Sequence, residues 1–165
     1  MMMIMIRLLL PLSFAITTSA FSAGLCDHTD TRFNCVQFVK NYDADTITFN
    51  IPGIHSLLGR NISVRVMGID APELRTKDQC EKSKSKEAKT LVHKLLKNAR
   101  RIDLVDVKRG KYFRIVANVI IDGKSLSQQL LDRKLAYSYD GGTKSKINWC
   151  QSNEARSISG RKDIQ

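Results

Sequence analysis

VRVMGIDAPELR, residues 64–75, sets the reading of the fold. Val64 and Val66 alternate with Arg65 and Met67, which is the period of a half-buried strand. Gly68 loosens that strand and Ala71-Pro72 stops it, because proline has no N–H for a ladder and holds its predecessor away from helix. Functional groups collect where the strand ends: one guanidinium (Arg65) and two carboxylates (Asp70, Glu73) lie within nine residues. A sheet would fix this backbone and a proline stiffen it. Such a set suits an anion-handling site. A surface arginine beside an ordinary polar turn would have the same composition.

Upstream, Val36 to Ile51 reads as strand, turn and strand, with Ile47, Phe49 and Ile51 toward the core. Asp43 and Asp45, at the start of the second strand, can cap the turn or offer oxygen to a hard cation. Pro52 to Gly59 reads as a loop, and Arg60 to Ile69 is the strand already described. Downstream of Glu81 comes a helix in which Ala88, Leu91, Val92, Leu95, Leu96 and Ala99 fall on one face. Arg101 to Val107 and Tyr112 to Ile121 read as strands, the second carrying Arg114 near its start. Asp122-Gly123 turns the chain, and Ser125 with Gln128 has the form of a capping box for a helix running to about Lys134. At most a short helix is expected near Ser152 to Ile158. Five short strands, with one helix after the third and another after the fifth, predict an α+β, mainly β, fold. The form expected is a five-stranded OB-type Greek-key barrel with two to three attached helices.

The N-terminus reads as a secretory signal peptide over residues 1–23, with an apolar run, Leu8 to Ile16, too short to span a bilayer. Cleavage is expected between residues 20 and 24. One domain then occupies residues 24–165, with its core over 36–150. Without Arg7, 26 Lys and Arg remain against 16 Asp and Glu, a net charge of about +10. An exported, strongly basic protein favours a polyanionic partner such as nucleic acid, anionic lipid or acidic polysaccharide. No amphipathic helix with a large exposed apolar face supports membrane association.

Four cysteines remain in the mature chain, Cys26, Cys35, Cys80 and Cys150, an even number that suits disulfides in an oxidising compartment. Their spacings fit no zinc pattern. Three pairings are possible; the preferred one joins Cys26 to Cys35 and Cys80 to Cys150. The latter would close a long loop worth on the order of 4 kcal/mol in the chain-entropy account.

With these segments in view, DADT (Asp43 to Thr46), R-x-x-x-x-D-x-P-E (Arg65 to Glu73), K-Y-x-R (Lys111 to Arg114), IDGKSLSQQLL and LAYSY resemble the successive signatures of the staphylococcal nuclease-like, or thermonuclease, family. The resemblance covers about Val36 to Tyr139. It implies an OB-type barrel with three helices and a calcium-dependent phosphodiesterase acting on DNA and RNA with little sequence preference, leaving 3′-phosphates and 5′-hydroxyls. Residue by residue, it implies that Asp45, Asp70 and the Ala71 carbonyl hold calcium. Glu73 would be the general base, Arg65 and Arg114 would grip the scissile phosphate, and Lys111, Tyr112, Tyr137 and Tyr139 would line the nucleotide pocket. Such residue types suit the chemistry. Calcium takes oxygen ligands in irregular geometry, arginine binds phosphate oxygens through paired N–H groups, and aromatic rings stack on any base. The chain departs from the family pattern at Ala44, where glycine is usual, and at Gly110 and Phe113, where the family commonly has D-K-Y-G-R. A catalytically silent OB-type module that binds nucleic acid or another polyanion is the alternative. A monomer is expected in either case.

Overall fold

The computed structural model describes residues 26–110, 114–144 and 147–149. The expected signal peptide and the expected helix near Ser152 to Ile158 lie outside these residues. In chain order the described elements are β1 (Arg32–Phe33), β2 (Gln37–Asn41), β3 (Thr46–Asn50), α1 (Ser56–Gly59), β4 (Ile62–Val66) and β5 (Ile69–Asp70). They continue with α2 (Gln79–Lys97), β6 (Ile102–Arg109), β7 (Ile115–Ile121), β8 (Lys124–Ser125), α3 (Leu126–Asp132) and β9 (Tyr137–Ser138).

Five strands, β2, β3, β4, β6 and β7, have five residues or more and lie where the sequence reading puts its five. The other four have two residues each, too short to leave a periodic signal. The main sheet runs β1-β6-β7-β4-β3-β2, with β8 folded back on β7, and β5 pairs with β9 apart from it. All neighbours are antiparallel except β4 and β7, so the sheet is mixed. It is not closed, in contrast to the expected barrel. One backbone hydrogen bond, from the Val36 N–H to the Ile102 carbonyl at 2.9 Å, links the chain ahead of edge strand β2 to β6.

The core follows from alternation. Ile47 and Phe49 of β3, Val64 and Val66 of β4, Leu104 of β6 and Ala117 and Val119 of β7 point the same way and are sealed from solvent. Two helices cover them: α2 contributes Ala88, Val92 and Leu96, and α3 contributes Leu126 and Leu130. Leu130 is completely buried. Its replacement by alanine is expected to cost about 2–5 kcal/mol of stability, read as a lowered urea midpoint at constant slope.

Helix α2 starts earlier than the apolar pattern suggests, at Gln79. The Asp78 carboxylate caps it by accepting from the N–H groups of Cys80 (2.8 Å) and Glu81 (3.2 Å). Its first two turns are polar, so periodicity could not reveal them. Helix α1, inside the segment read as a loop, is only four residues long. For α3 the Ser125 hydroxyl accepts from the Gln128 N–H at 3.4 Å, but the Gln128 amide turns to Asp132 at 2.7 Å. Half of the expected capping box is therefore formed. The helix ends at Asp132 rather than Lys134, which lies at φ 58° outside it.

The Cys26–Cys35 disulfide is present. Cys80 is disulfide-bonded, and Cys150, its expected partner, lies outside the described residues.

Candidate active site

β4 is the central support of the site, paired on one side with β3 and on the other with β7. Val64 and Val66 anchor it in the core, so Arg65 between them projects from the opposite face. Register places Thr46 and Val116 beside Arg65. The turn before β3 brings Asp45 to the same place. Asp43 builds that turn, its Oδ1 accepting from the N–H groups of Asp45 (3.1 Å) and Thr46 (2.6 Å). The turn is then pinned to β4 by a 2.8 Å bond from the Val66 N–H to the Asp45 carbonyl. Ala44 is buried without a positive φ, so alanine stands here with no backbone strain.

Beyond β4, Gly68 takes φ 79° and breaks the strand, as its sequence position suggests, and the chain re-pairs as β5 against β9. Asp70 stands opposite Tyr137 in that pairing. The two aspartates converge on one guanidinium: Arg65 donates through NH1 to Asp45 Oδ1 at 2.7 Å and through NH2 to Asp70 Oδ1. The side chains of Asp45 and Asp70 are only 3% and 5% exposed, and that of Arg65 21%. Asp45 also accepts from Thr46 Oγ1 at 3.2 Å and from the Ala71 N–H at 2.9 Å. Asp70 Oδ2 accepts from the Tyr137 hydroxyl at 2.7 Å.

Electrostatics divide the two acids. Burial, with Asp43 nearby, pushes the Asp45 carboxyl up to about 7 against the opposing pull of Arg65. Burial also acts to raise Asp70, but hydrogen bonds from Tyr137, Lys144 and Arg65 outweigh it and hold that carboxyl below its ordinary value. The Tyr137 hydroxyl is raised, by burial first and then by its bond to Asp70.

Glu73 follows the buried Pro72 and is exposed. Its backbone N–H donates to Glu81 Oε1 at 3.1 Å, tying the turn to the start of α2. Its carboxylate accepts from Lys144 Nζ at 2.8 Å, and the same ammonium lies 3.1 Å from Asp70 Oδ1. Burial disfavours the Lys144 ammonium, but Glu73 and Asp70 outweigh this and raise its pKa. A cleft of about 260 Å³ is lined here by Asp70, Ala71, Glu73, Glu81, Tyr137, Lys144, Ile147 and Trp149. A groove of about 560 Å³ beside the Cys26–Cys35 bridge is larger, but none of these acids lines it.

Of the residues singled out in the sequence, Asp45, Arg65, Asp70, Ala71, Glu73 and Tyr137 are brought together. Arg114 is half-buried just ahead of β7, two residues before the Val116 that neighbours Arg65, so alternation sets it toward the Arg65 face. It forms no ion pair with the described residues. Its carbonyl accepts from the Gly110 N–H at 2.7 Å. A side chain at Gly110 would meet Val116 Cγ2 at 2.7 Å and the Arg114 carbonyl at 3.1 Å, which accounts for glycine at this position. Tyr139 donates its hydroxyl to the Gly142 carbonyl at 2.7 Å and does not reach the two aspartates. Lys111, Tyr112 and Phe113 lie outside the described residues. Lys144 was not singled out: in GGTKSK it belongs to no periodic element or motif, and only the fold sets it over Asp70 and Glu73.

Among the described residues no three His, Cys, Asp or Glu side chains form a cage for a metal ion. The carboxylates of Asp45 and Asp70 nevertheless converge on one cationic group, Arg65, and offer oxygen alone. That chemistry fits a hard divalent cation completed by water and substrate oxygens.

The family profile described as "Staphylococcal nuclease homologue" matches residues 63–160, more than half of the chain. Endonuclease YncB of Bacillus subtilis (strain 168) is 33% identical over 92 residues, 52% of this chain and 43% of that protein. The chain thus spans less than half the length of this relative.

Proposed function

Because the chain belongs to the staphylococcal nuclease homologue family, whose fold is of the OB type, we propose that it is an exported, calcium-dependent endonuclease acting on DNA and RNA with little sequence preference. The observation that carries this reading is the meeting of Asp45 and Asp70 on Arg65 beside the Glu73 cleft. On this reading the five longer strands correspond to the five of the family's barrel. Asp45, Asp70 and the Ala71 carbonyl would hold calcium, which supplies positive charge to the phosphate when bound.

The remaining steps belong to the chain's own residues. Glu73 takes a proton from the attacking water as its oxygen bonds to phosphorus. Arg65 and Arg114 meet the negative charge that gathers on the non-bridging oxygens. The P–O5′ bond breaks, and the departing oxygen takes a proton from solvent water to become a 5′-hydroxyl, leaving a 3′-phosphate. Arg65 uses two of its five N–H groups on the aspartates, which leaves the others for phosphate oxygens. Lys111, Tyr112, Tyr137 and Tyr139 border the nucleotide on this reading, with Tyr137 also orienting Asp70. Export agrees with the Cys26–Cys35 disulfide, which suits an oxidising compartment.

A second reading, a polyanion-binding module without activity, has one observation in its favour: Arg65 and Glu73 are both engaged by partners. The two are separated by release of acid-soluble nucleotides from DNA and RNA by the mature protein. Cleavage with calcium and at least a ~100-fold loss in chelator is the expected result. Salt-sensitive binding without cleavage, by folded protein saturated with calcium, would establish the module instead.

A further inference from the structure

Lys144 is a cation placed by the fold on the two acids that the nuclease reading uses for different purposes. Its Nζ is 3.1 Å from Asp70 Oδ1, an oxygen also bound by Arg65, and 2.8 Å from Glu73 Oε1. Described residues on both sides of Lys144 make ordered contacts, within the loop before it and with Tyr137 after it. Before it, the Tyr139 hydroxyl donates to the Gly142 carbonyl at 2.7 Å, and the Gly142 N–H to Asp140 at 2.9 Å. After it, the Trp149 ring packs on Tyr137 with centroids 6.0 Å apart, and Tyr137 is itself bonded to Asp70. Lys144 also provides the one hydrogen bond that the Glu73 carboxylate accepts among the described residues.

We infer that Lys144 is an internal counter-cation of the metal-binding acids: with no metal bound it neutralises Asp70 and positions Glu73, and a divalent cation gains Asp70 by displacing it. The inference rests on the reading of Asp45 and Asp70 as metal ligands. Asp70 Oδ1 receives two cationic donors, and a divalent ion would compete with both for the same lone pairs. Arg65 is planted in a central strand, whereas Lys144 sits on a loop and is 47% exposed. The lysine is therefore the donor that yields. Its departure also frees the Glu73 carboxylate, so metal occupancy and release of the base are one event.

Calcium titration calorimetry of the chelator-stripped mature protein, without nucleic acid, tests this directly. Lys144→Met is expected to bind calcium about tenfold more tightly than wild type, equivalent to about 1.4 kcal/mol, while Lys144→Arg stays near wild type. Arg75→Met removes one exposed positive charge that forms no ion pair with Asp70 or Glu73. Its guanidinium lies 5.9 Å from the centroid of the Tyr42 ring, and its loss is expected to change affinity by less than about twofold at physiological salt, where exposed charges are screened. As a second measurement on unaltered protein, acetylation of Lys144, read by mass spectrometry, is expected to rise on adding calcium. Equal calcium affinity of wild type and Lys144→Met, equal tightening by Arg75→Met, or calcium-independent acetylation would overturn the inference and leave the nuclease reading standing. Absence of calcium binding by every variant, wild type included, would overturn both.

Discussion

Glu73→Gln is expected to lower kcat for DNA and RNA by about 10²–10⁴-fold, the range for loss of a positioned general base. Glutamine keeps the shape and accepts the Lys144 hydrogen bond, but it cannot take a proton from water at neutral pH. The change costs little stability. Glu73 and Lys144 have side chains 57% and 47% exposed, and an ion pair of that kind contributes about 0–1 kcal/mol. The melting temperature should move by no more than a few degrees, on the order of 4 °C, and affinity for a short oligonucleotide should stay close to wild type. A kcat within about fivefold of wild type would remove Glu73 from the role of base and move the search to other groups around the cleft.

The residues that could be read from sequence are those whose role is repeated in a local pattern. Val64, Arg65 and Val66 declare a strand with one face in the core, and Gly68 and Pro72 declare where it stops. The apolar face of α2 from Ala88 onward is equally plain, because burial recurs at helical spacing. The polar start of α2, which depends on the single cap Asp78, gave no such recurrence, and the two-residue pairing of β5 with β9 is a tertiary event. The site divides along the same line. Asp45, Arg65, Asp70 and Glu73 were visible as residue types, but that one guanidinium bridges both aspartates depends on strand register, separated in sequence by 20 and 5 positions. Tyr137 was expected against a nucleotide, and its hydroxyl is found on Asp70, 67 positions away. Lys144, 71 positions from Glu73, lies in a glycine-containing loop with no local pattern at all. Chemistry assembled across such separations has to await the fold.

Arg65→Gln is the substitution expected to damage the protein most broadly, because it acts on stability as well as on activity. Among the described residues Arg65 is the one cation bonded to both Asp45 and Asp70, whose side chains are nearly sealed from water. Removing one partner from a buried pair leaves uncompensated charge and costs about 3–5 kcal/mol, more than a salt bridge of the same geometry contributes when intact. In chelator, the variant should show a urea midpoint lowered by that free energy. Its deficit should also depend on pH in a definite direction. A carboxyl raised to about 7, as Asp45 already is, contributes stability below its unfolded value and loses it as pH rises through about 7. Without Arg65 that loss is larger, so the deficit should shrink as pH falls from 8 toward 5, while Asp45 takes up a proton. Calcium should oppose the same deficit at neutral pH, since a ligand that binds only the folded state adds RT ln(1 + [L]/Kd) to stability. Recovery of the midpoint with calcium, while cleavage stays at least ~100-fold below wild type, would separate Arg65's two functions: holding the carboxylates together and meeting the phosphate. A variant as stable as wild type in chelator across this pH range would mean that the aspartates do not depend on the guanidinium, and the site would have to be built on a different set of contacts.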